Sequence, residues 1–303
     1  MLSWKRWNVL VLAAFFSVLI LVSFSAEYVL FRLNENLDIE QSIEKQIGEG
    51  ALYGRLLIGQ DAIYKMQMAK KQRADILVIG SSRVMQLRRE FFSDDMSFFN
   101  AGGCMPNIEQ GIEFLDGITI EYKPKVIMLG IDLWWLNGAY NEKDNRKKEI
   151  LSNNMIQNRL FLYGSLFDNV INGNIRRINV NVLRDNFHNA FDPFEHRPAI
   201  GLLAALNGDG FRVDGSYQYG GIITGKKSSD KNFEDTHKRI ATGTARFEYT
   251  ETVDAKKLEQ LKRFVSVVKS KGIPIVVFAP PFAHVACPPK IEPDFKLEKS
   301  MLD

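Results

Sequence analysis

The hydrophobic pattern of this chain opens with nineteen uncharged residues, Asn8 to Ala26, dense in Val, Leu, Ala and Phe. As a helix that run is about 28 Å long, close to the hydrocarbon thickness of a bilayer. Lys5 and Arg6 precede it, with Trp4 and Trp7 beside them, and Glu27 ends it. The pattern predicts an uncleaved transmembrane anchor at residues 1–26, with its basic end in the cytoplasm and everything after Glu27 outside. A signal peptide cut near Ser23-Phe24-Ser25 is the alternative. A buried helix of a soluble protein is the bland reading. Other aliphatic runs, such as Val126–Leu129 and Ile273–Ala279, are too short to cross a membrane.

After the anchor, residues 27–72 read as a polar, mostly helical stalk, and residues 73–303 as one domain. Short aliphatic runs predict strands at Asp75–Gly80, Ser97–Asn100, Lys125–Gly130 and Ile273–Ala279. Between the second and third, Asn107–Tyr122 carries Ile108, Ile112, Phe114, Leu115 and Ile118 at helical spacing, and Pro124 ends it. Before the fourth, Asp254–Lys271 places Leu258, Leu261, Phe264, Val265 and Val268 on one face and lysines opposite, and Gly272 stops it. Strands alternating with helices predict an α/β fold whose parallel sheet is covered on both faces. Residues 140–250 break the alternation. They are rich in Asn, Gly and Arg and predict a long insertion, partly helical over 141–171 and irregular over 172–249.

Composition narrows the partners. With 39 basic against 36 acidic residues the formal net charge is +3, and the basic residues are dispersed. Nucleic acid is therefore not an expected partner. The two cysteines, Cys104 and Cys287, either pair outside the cytoplasm or stay as thiols. Two cysteines and four scattered histidines offer no metal-ligand spacing. Gly102-Gly103 belongs to no G-x-G-x-x-G pattern, so no dinucleotide is implied. No cofactor is expected.

The candidate chemistry lies at three strand ends. The first reads Gly80-Ser81-Ser82-Arg83, the second Asn100-Ala101-Gly102-Gly103 and the third Gly130-Ile131-Asp132. In a parallel sheet the carboxyl ends share one edge, so these residues converge without being neighbours in sequence. A hydroxyl nucleophile, a bare glycine N–H and a polar side chain are what acyl transfer requires. The bland reading makes the same serines a helix cap and the paired glycines a turn. Trp134-Trp135 reads as core or rim packing before a sugar platform.

These blocks, in this order, resemble the SGNH (GDSL-like) hydrolase superfamily over about Asp75–Asp132 and Ile273–Ala279. Gly80-Ser81-Ser82 is similar to the family's Gly-Asp-Ser, with Ser81 in the aspartate position. Asn100-Ala101-Gly102 matches the glycine block, and Gly130-Ile131-Asp132 the Gly-x-Asn-Asp block, with Asp132 in place of the donor asparagine. The resemblance implies a three-layer flavodoxin-like parallel sheet. It also implies Ser82 as nucleophile, the N–H groups of Ser82 and Gly102 as oxyanion donors, and Asp132 with Arg83 as polar support. The Gly-Ser-Ser start is similar to membrane-anchored branches that act on bacterial envelope polymers, such as the D-alanyl and alginate O-acetylation proteins. An esterase or O-acyltransferase is implied, set in the cytoplasmic membrane with its domain periplasmic or extracellular. Its partners would be an envelope glycan or acylated substrate and an acyl-donor membrane protein.

The departures from the family pattern point elsewhere. An ionised Asp132 accepts hydrogen bonds but donates none. No Asp-x-x-His follows the fourth strand, through truncation or loss. His284 lies just beyond that strand, and Asp185-Asn186-Phe187-His188 spells the motif out of order. His196 and His237 carry no signal. An inactive SGNH-like envelope protein with a binding or assembly role is the alternative function.

Overall fold

A computed structural model of the chain describes residues 3–57, 60–140, 155–172, 198–223, 233–248, 250 and 252–281. The chain folds as two units, Met1–Gly59 with Lys148–Gly210, and Gln60–Lys147 with Phe211–Asp303. This differs from a stalk, a domain and an insertion in series. Residues 148–210, read from the sequence as part of the insertion, belong with the N-terminal segment.

In the first unit α1 runs from Trp4 to Arg32, 29 residues without a break. It is long and apolar enough to cross a membrane, and every residue from Ser3 to Val22 is exposed. The helix does not stop at Glu27. Leu30 is fully buried, and Ala26 and Val29 are partly so, against a cluster of Leu33, Leu52, Leu57, Leu162, Leu166, Ala199 and Leu202. The membrane-length apolar run and the unit's core therefore share one helix. Its end packs on the helix Met155–Ile171, where the Glu27 carboxylate accepts from Tyr163 Oη at 2.6 Å and pairs with Arg159 at 3.4 Å. Next comes α2 (Ile39–Glu49), started by a capping box between Asp38 and Gln41 and ended by Gly50 at φ +66°. Then β1 (Leu52–Tyr53) pairs in parallel with a two-residue strand, Ala199–Ile200.

Glu35 is the polar centre of this unit. It is fully buried, and its carboxylate accepts the backbone N–H groups of Leu56 at 2.9 Å, Leu57 at 2.8 Å and Leu202 at 2.7 Å. Arg55 Nη2 donates to the Glu35 carbonyl at 2.8 Å. One side chain thus satisfies three donors from two distant segments, two of them buried, which no backbone ladder reaches.

The second unit starts with α3 (Asp61–Gln72) and is built on a parallel sheet of β2 (Ile76–Gly80), β3 (Phe98–Gly102), β4 (Val126–Gly130) and a last strand, Ile275–Phe278. The order is β3, β2, β4, last strand. Register pairs Gly80 with Gly102, Ile79 with Leu129, and Gly130 with Phe278. Between β3 and β4 runs α4 (Ile108–Thr119), capped by Asn107, whose Oδ1 accepts from Gln110 N at 2.9 Å. It packs on α3 and on the helix Ala255–Ser270, which Asp254 caps. These elements follow the aliphatic runs of the sequence to within two or three residues at each end.

Coverage of the sheet is uneven. Leu77, Ile79, Phe99, Ala101, Ile127 and Leu129 lie on one face and are completely buried. On the other, Ile76, Val78 and Phe98 pack with Val84, Leu87, Phe92 and Met96, while Val126, Met128 and Phe278 are only partly buried. Among the described residues that second face is covered by the Ser82–Met96 connection, which holds two single 3₁₀ turns and no α-helix. Residues 198–223 and 233–248 also hold short strands and helices, so the expected irregular insertion is structured in these parts.

Burial raises the Glu35 carboxyl, against the three N–H groups and Arg55, which lower it. A raised acid binds its proton more tightly folded than unfolded. Its contribution to stability is full below the ordinary value of 4.5 and is lost as pH rises through the folded value. Glu35→Ala is expected to destabilise this unit by about 3 kcal/mol or more, because three donors, two of them buried, lose their acceptor. Melting of the detergent-solubilised protein between pH 4 and 7 checks both points, and Glu35→Ala should flatten the pH dependence as it lowers the melting temperature.

Candidate functional site

Three adjacent strands end on glycine, and one side chain explains all three. Val84 lies over the ends of β2, β3 and β4. A Cβ at Gly80 would meet Val84 Cγ2 at 2.9 Å, one at Gly102 would meet it at 2.7 Å, and one at Gly130 would overlap Val84 Cγ1. The resemblance implies an oxyanion task for Gly102; in the structure its missing side chain admits this plug.

Directly after β2 the chain makes a single 3₁₀ turn, Ser82–Val84. Ser81 is buried, and its hydroxyl accepts from Arg83 N at 3.2 Å. The capping task open to either serine therefore falls to Ser81. Ser82 is exposed at the start of the turn, and its hydroxyl and N–H make no hydrogen bond among the described residues. Its N–H is free to meet an oxyanion.

Gly102 is placed differently. It lies buried beside Gly80 in the register, and its N–H already donates to Asn100 Oδ1 at 2.7 Å. Any oxyanion would have to displace that acceptor. Asn100 itself is fully buried, and its amide nitrogen donates to the carbonyls of Val84 and Leu87, each at 2.8 Å. A single amide ties the end of β3 to the connection that carries Ser82. Nothing in the sequence signals this role of Asn100, because an asparagine near a strand end also reads as a turn residue.

Asp132 is buried, and Arg83 Nη1 donates to its Oδ1 at 3.1 Å. Its Oδ2 is buried without a hydrogen-bond partner among the described residues. Burial raises the Asp132 carboxyl, and the Ser81 hydroxyl, Arg83 and Arg246 pull it back down. Arg83 also donates through Nη2 to the carbonyls of Pro280 at 2.5 Å and Pro281 at 2.8 Å, just past the last strand. The guanidinium thus links the ends of three strands. Arg246 has no signal in the sequence. It stands with Arg83 over Trp134, their guanidinium carbons 5.3 and 5.8 Å from the ring centroid.

No family model, curated protein or solved structure matches this chain. The site is therefore read from its own geometry. Ser82, Gly102 and Asp132 do come to one edge of the sheet, from the ends of β2, β3 and β4. Of the histidines, His237 is exposed on the helix Glu234–Thr242, while His188, His196 and His284 lie outside the described residues. Cys104 is a free, buried thiol pushed up to about 12 by burial, and Cys287 lies outside the described residues. Trp134 and Trp135 are buried, and Trp135 Nε1 donates to Pro106 O at 2.8 Å. With Tyr140, Lys257 and Gln260 they line a cavity of about 190 Å³.

Two outcomes follow from these contacts. Gly130→Ala is expected to cost about 1–3 kcal/mol by overpacking against Val84. Val84→Ala in the same chain should recover part of that loss, which a double-mutant cycle on denaturant midpoints measures. Arg83→Met should cost about 3–5 kcal/mol, since it strands the buried Asp132 carboxylate. Adding Asp132→Asn should return part of it by the same measurement.

Proposed function

We propose that this chain is a membrane-anchored, SGNH-like esterase or O-acyltransferase in which Ser82 attacks an acyl group. The observation that carries the proposal is the placement of Ser82, exposed at the end of β2 between strands whose ends bring Asp132 and the buried Asn100 alongside. The strand order supports it: numbered within the sheet it reads 2-1-3-4, the start of the flavodoxin-like order. In such sheets ligands bind outside the carboxyl ends, where the order reverses.

In this mechanism the Ser82 oxygen bonds to the acyl carbon and the ester C–O bond breaks. The Ser82 hydroxyl proton leaves on the departing alcohol oxygen, and the Ser82 N–H stabilises the oxyanion on the way. Gly102 N–H joins only when Asn100 Oδ1 releases it. Asp132 sits where the family carries a donor asparagine, and Arg83 neutralises it while holding the strand ends together. The substrate class is an acylated envelope glycan, reached because α1 sits in the cytoplasmic membrane and leaves the rest of the chain outside. An acyl-donor membrane protein would supply the transferase form of the reaction.

One observation favours the second reading, an inactive SGNH-like envelope protein that binds or assembles. The Gly102 N–H is already committed to Asn100, so the oxyanion hole is half formed.

A fluorophosphonate probe on the detergent-solubilised full chain separates the two. The wild type and Ser81→Ala are expected to label, and Ser82→Ala is not. A wild type that melts cooperatively yet takes no label rules out serine chemistry and leaves the binding reading.

A further inference from the structure

One charged group near this site has no place in the chemistry above. Lys65 lies on the buried face of α3, beside Tyr64, Met68 and Ala69, and is itself completely buried. Taking an ammonium out of water costs several kcal/mol unless every proton finds a partner. Here each does. Lys65 Nζ donates to the carbonyls of Asn100 at 3.1 Å, Gly102 at 2.6 Å and Gly215 at 2.9 Å. Three acceptors need three protons, which the ammonium has and the neutral amine lacks. The Phe211 ring closes the remaining side, its centroid 4.1 Å from Nζ.

No carboxylate forms an ion pair with Lys65 among the described residues. Asp61 on its own helix and Asp214 in the turn before the strand Tyr217–Gln218 act only through their fields, and Cys104 after β3, its thiol pushed up by burial, is neutral. Burial pushes the ammonium down to about 8, which still leaves it charged at neutral pH.

The acceptors give this charge its meaning. β3 is an edge strand with β2 on one side only. On the open side, Asn100 N donates to Asp214 O at 2.8 Å, and the Asn100 and Gly102 carbonyls both turn to Lys65. One ammonium takes the place of a missing neighbouring strand. It also locks a particular peptide plane. The carbonyl of the Gly102–Gly103 peptide binds Lys65, while its N–H donates to Gly80 O at 2.9 Å. Gly103 has φ +87°, so this glycine pair would turn freely if either end let go. Gly80 O belongs in turn to the peptide that carries Ser81 N–H, one residue before Ser82.

We propose that Lys65 is a positioning residue, whose buried ammonium fixes the Asn100–Gly103 turn in the conformation that the Ser82 site requires. The link to catalysis rests on the reading of Ser82 given above. The lock on the turn does not.

The test compares wild type with Lys65→Met, similar in length and uncharged, as detergent-solubilised full chains. Two quantities are read: hydrogen exchange of peptides covering Phe98–Pro106, with Val126–Gly130 as the internal control, and the rate at which the fluorophosphonate labels Ser82. Loss of the ammonium is expected to speed exchange at Gly102–Gly103 by about tenfold or more, with β4 unchanged, and to slow Ser82 labelling by a similar factor. Unchanged exchange overturns the proposal. Faster exchange with an unchanged labelling rate reduces Lys65 to a brace for the sheet edge and overturns its positioning role. If the wild type takes no label, serine chemistry falls on its own. Lys65 is then judged by exchange alone, where the tenfold change upholds it as the residue that sets this turn. Should Lys65→Met fail to fold, the wild type still decides. A ¹⁵N–¹H spectrum of the lysine side chains should show one protected, slowly exchanging ammonium at neutral pH, and its absence sinks the proposal.

Discussion

The candidate site depends on the Asn100 side chain more than on any other single group. A buried primary amide must place two donors and an acceptor, and leaving any of them unpaired would cost about 1–3 kcal/mol. Asn100 meets that demand by gripping Val84 O and Leu87 O on one side and Gly102 N–H on the other. The connection carrying Ser82 is thereby fastened to the end of β3. Val84, held by this grip, fills the space that Gly80, Gly102 and Gly130 leave open. Arg83, two residues from Ser81, reaches across to Asp132 and to the prolines after the last strand. Packing and polar contacts therefore converge on four residues, Ser81 to Val84. Backbone carbonyls take most of the hydrogen bonds.

The N-terminal unit solves a different problem with similar means. A long exposed apolar helix must connect to a folded body, and a flexible stalk would leave that junction free to swing. Here α1 runs on without a break until Leu30 joins the unit's core. Glu27 holds the end of the helix to Arg159 and Tyr163, and Glu35 gathers the N–H groups of Leu56, Leu57 and Leu202. Both acidic residues act on groups that lie far away in sequence. This is why residues 148–210, which look like an interruption of the α/β pattern, belong with the first 59 residues.

Much of the sheet was legible because its strands are short aliphatic runs, buried on at least one face, and its helices carry clear caps. Asn107 and Asp254 mark helix starts, Gly272 marks a stop, and Ile76–Gly80 and Val126–Gly130 stand where the runs of Ile, Val and Leu put them. Second-face coverage was not legible. A 3₁₀ turn and a string of Leu, Phe and Met over Ser82–Met96 have no period that announces them as a layer. Nor was Lys65 visible as a buried charge, since a lysine on an amphipathic helix almost always reads as solvent-facing. Only the carbonyls of Asn100, Gly102 and Gly215, brought together from two segments, make that position tolerable.

By itself the sequence determined the membrane-length helix, the parallel strands and the three strand ends that meet at Ser82, Gly102 and Asp132. Those properties follow from local periodicity and from the rule that parallel strands end on one edge. Which groups are spoken for at that edge was decided only by the tertiary structure. Gly102 N–H is taken by Asn100, the Asp132 carboxylate by Arg83, and the open side of β3 by Lys65, while Ser82 stays exposed. The reason is physical: a hydrogen bond spans about 3 Å of space and any length of chain, so its partner is set by packing rather than by spacing.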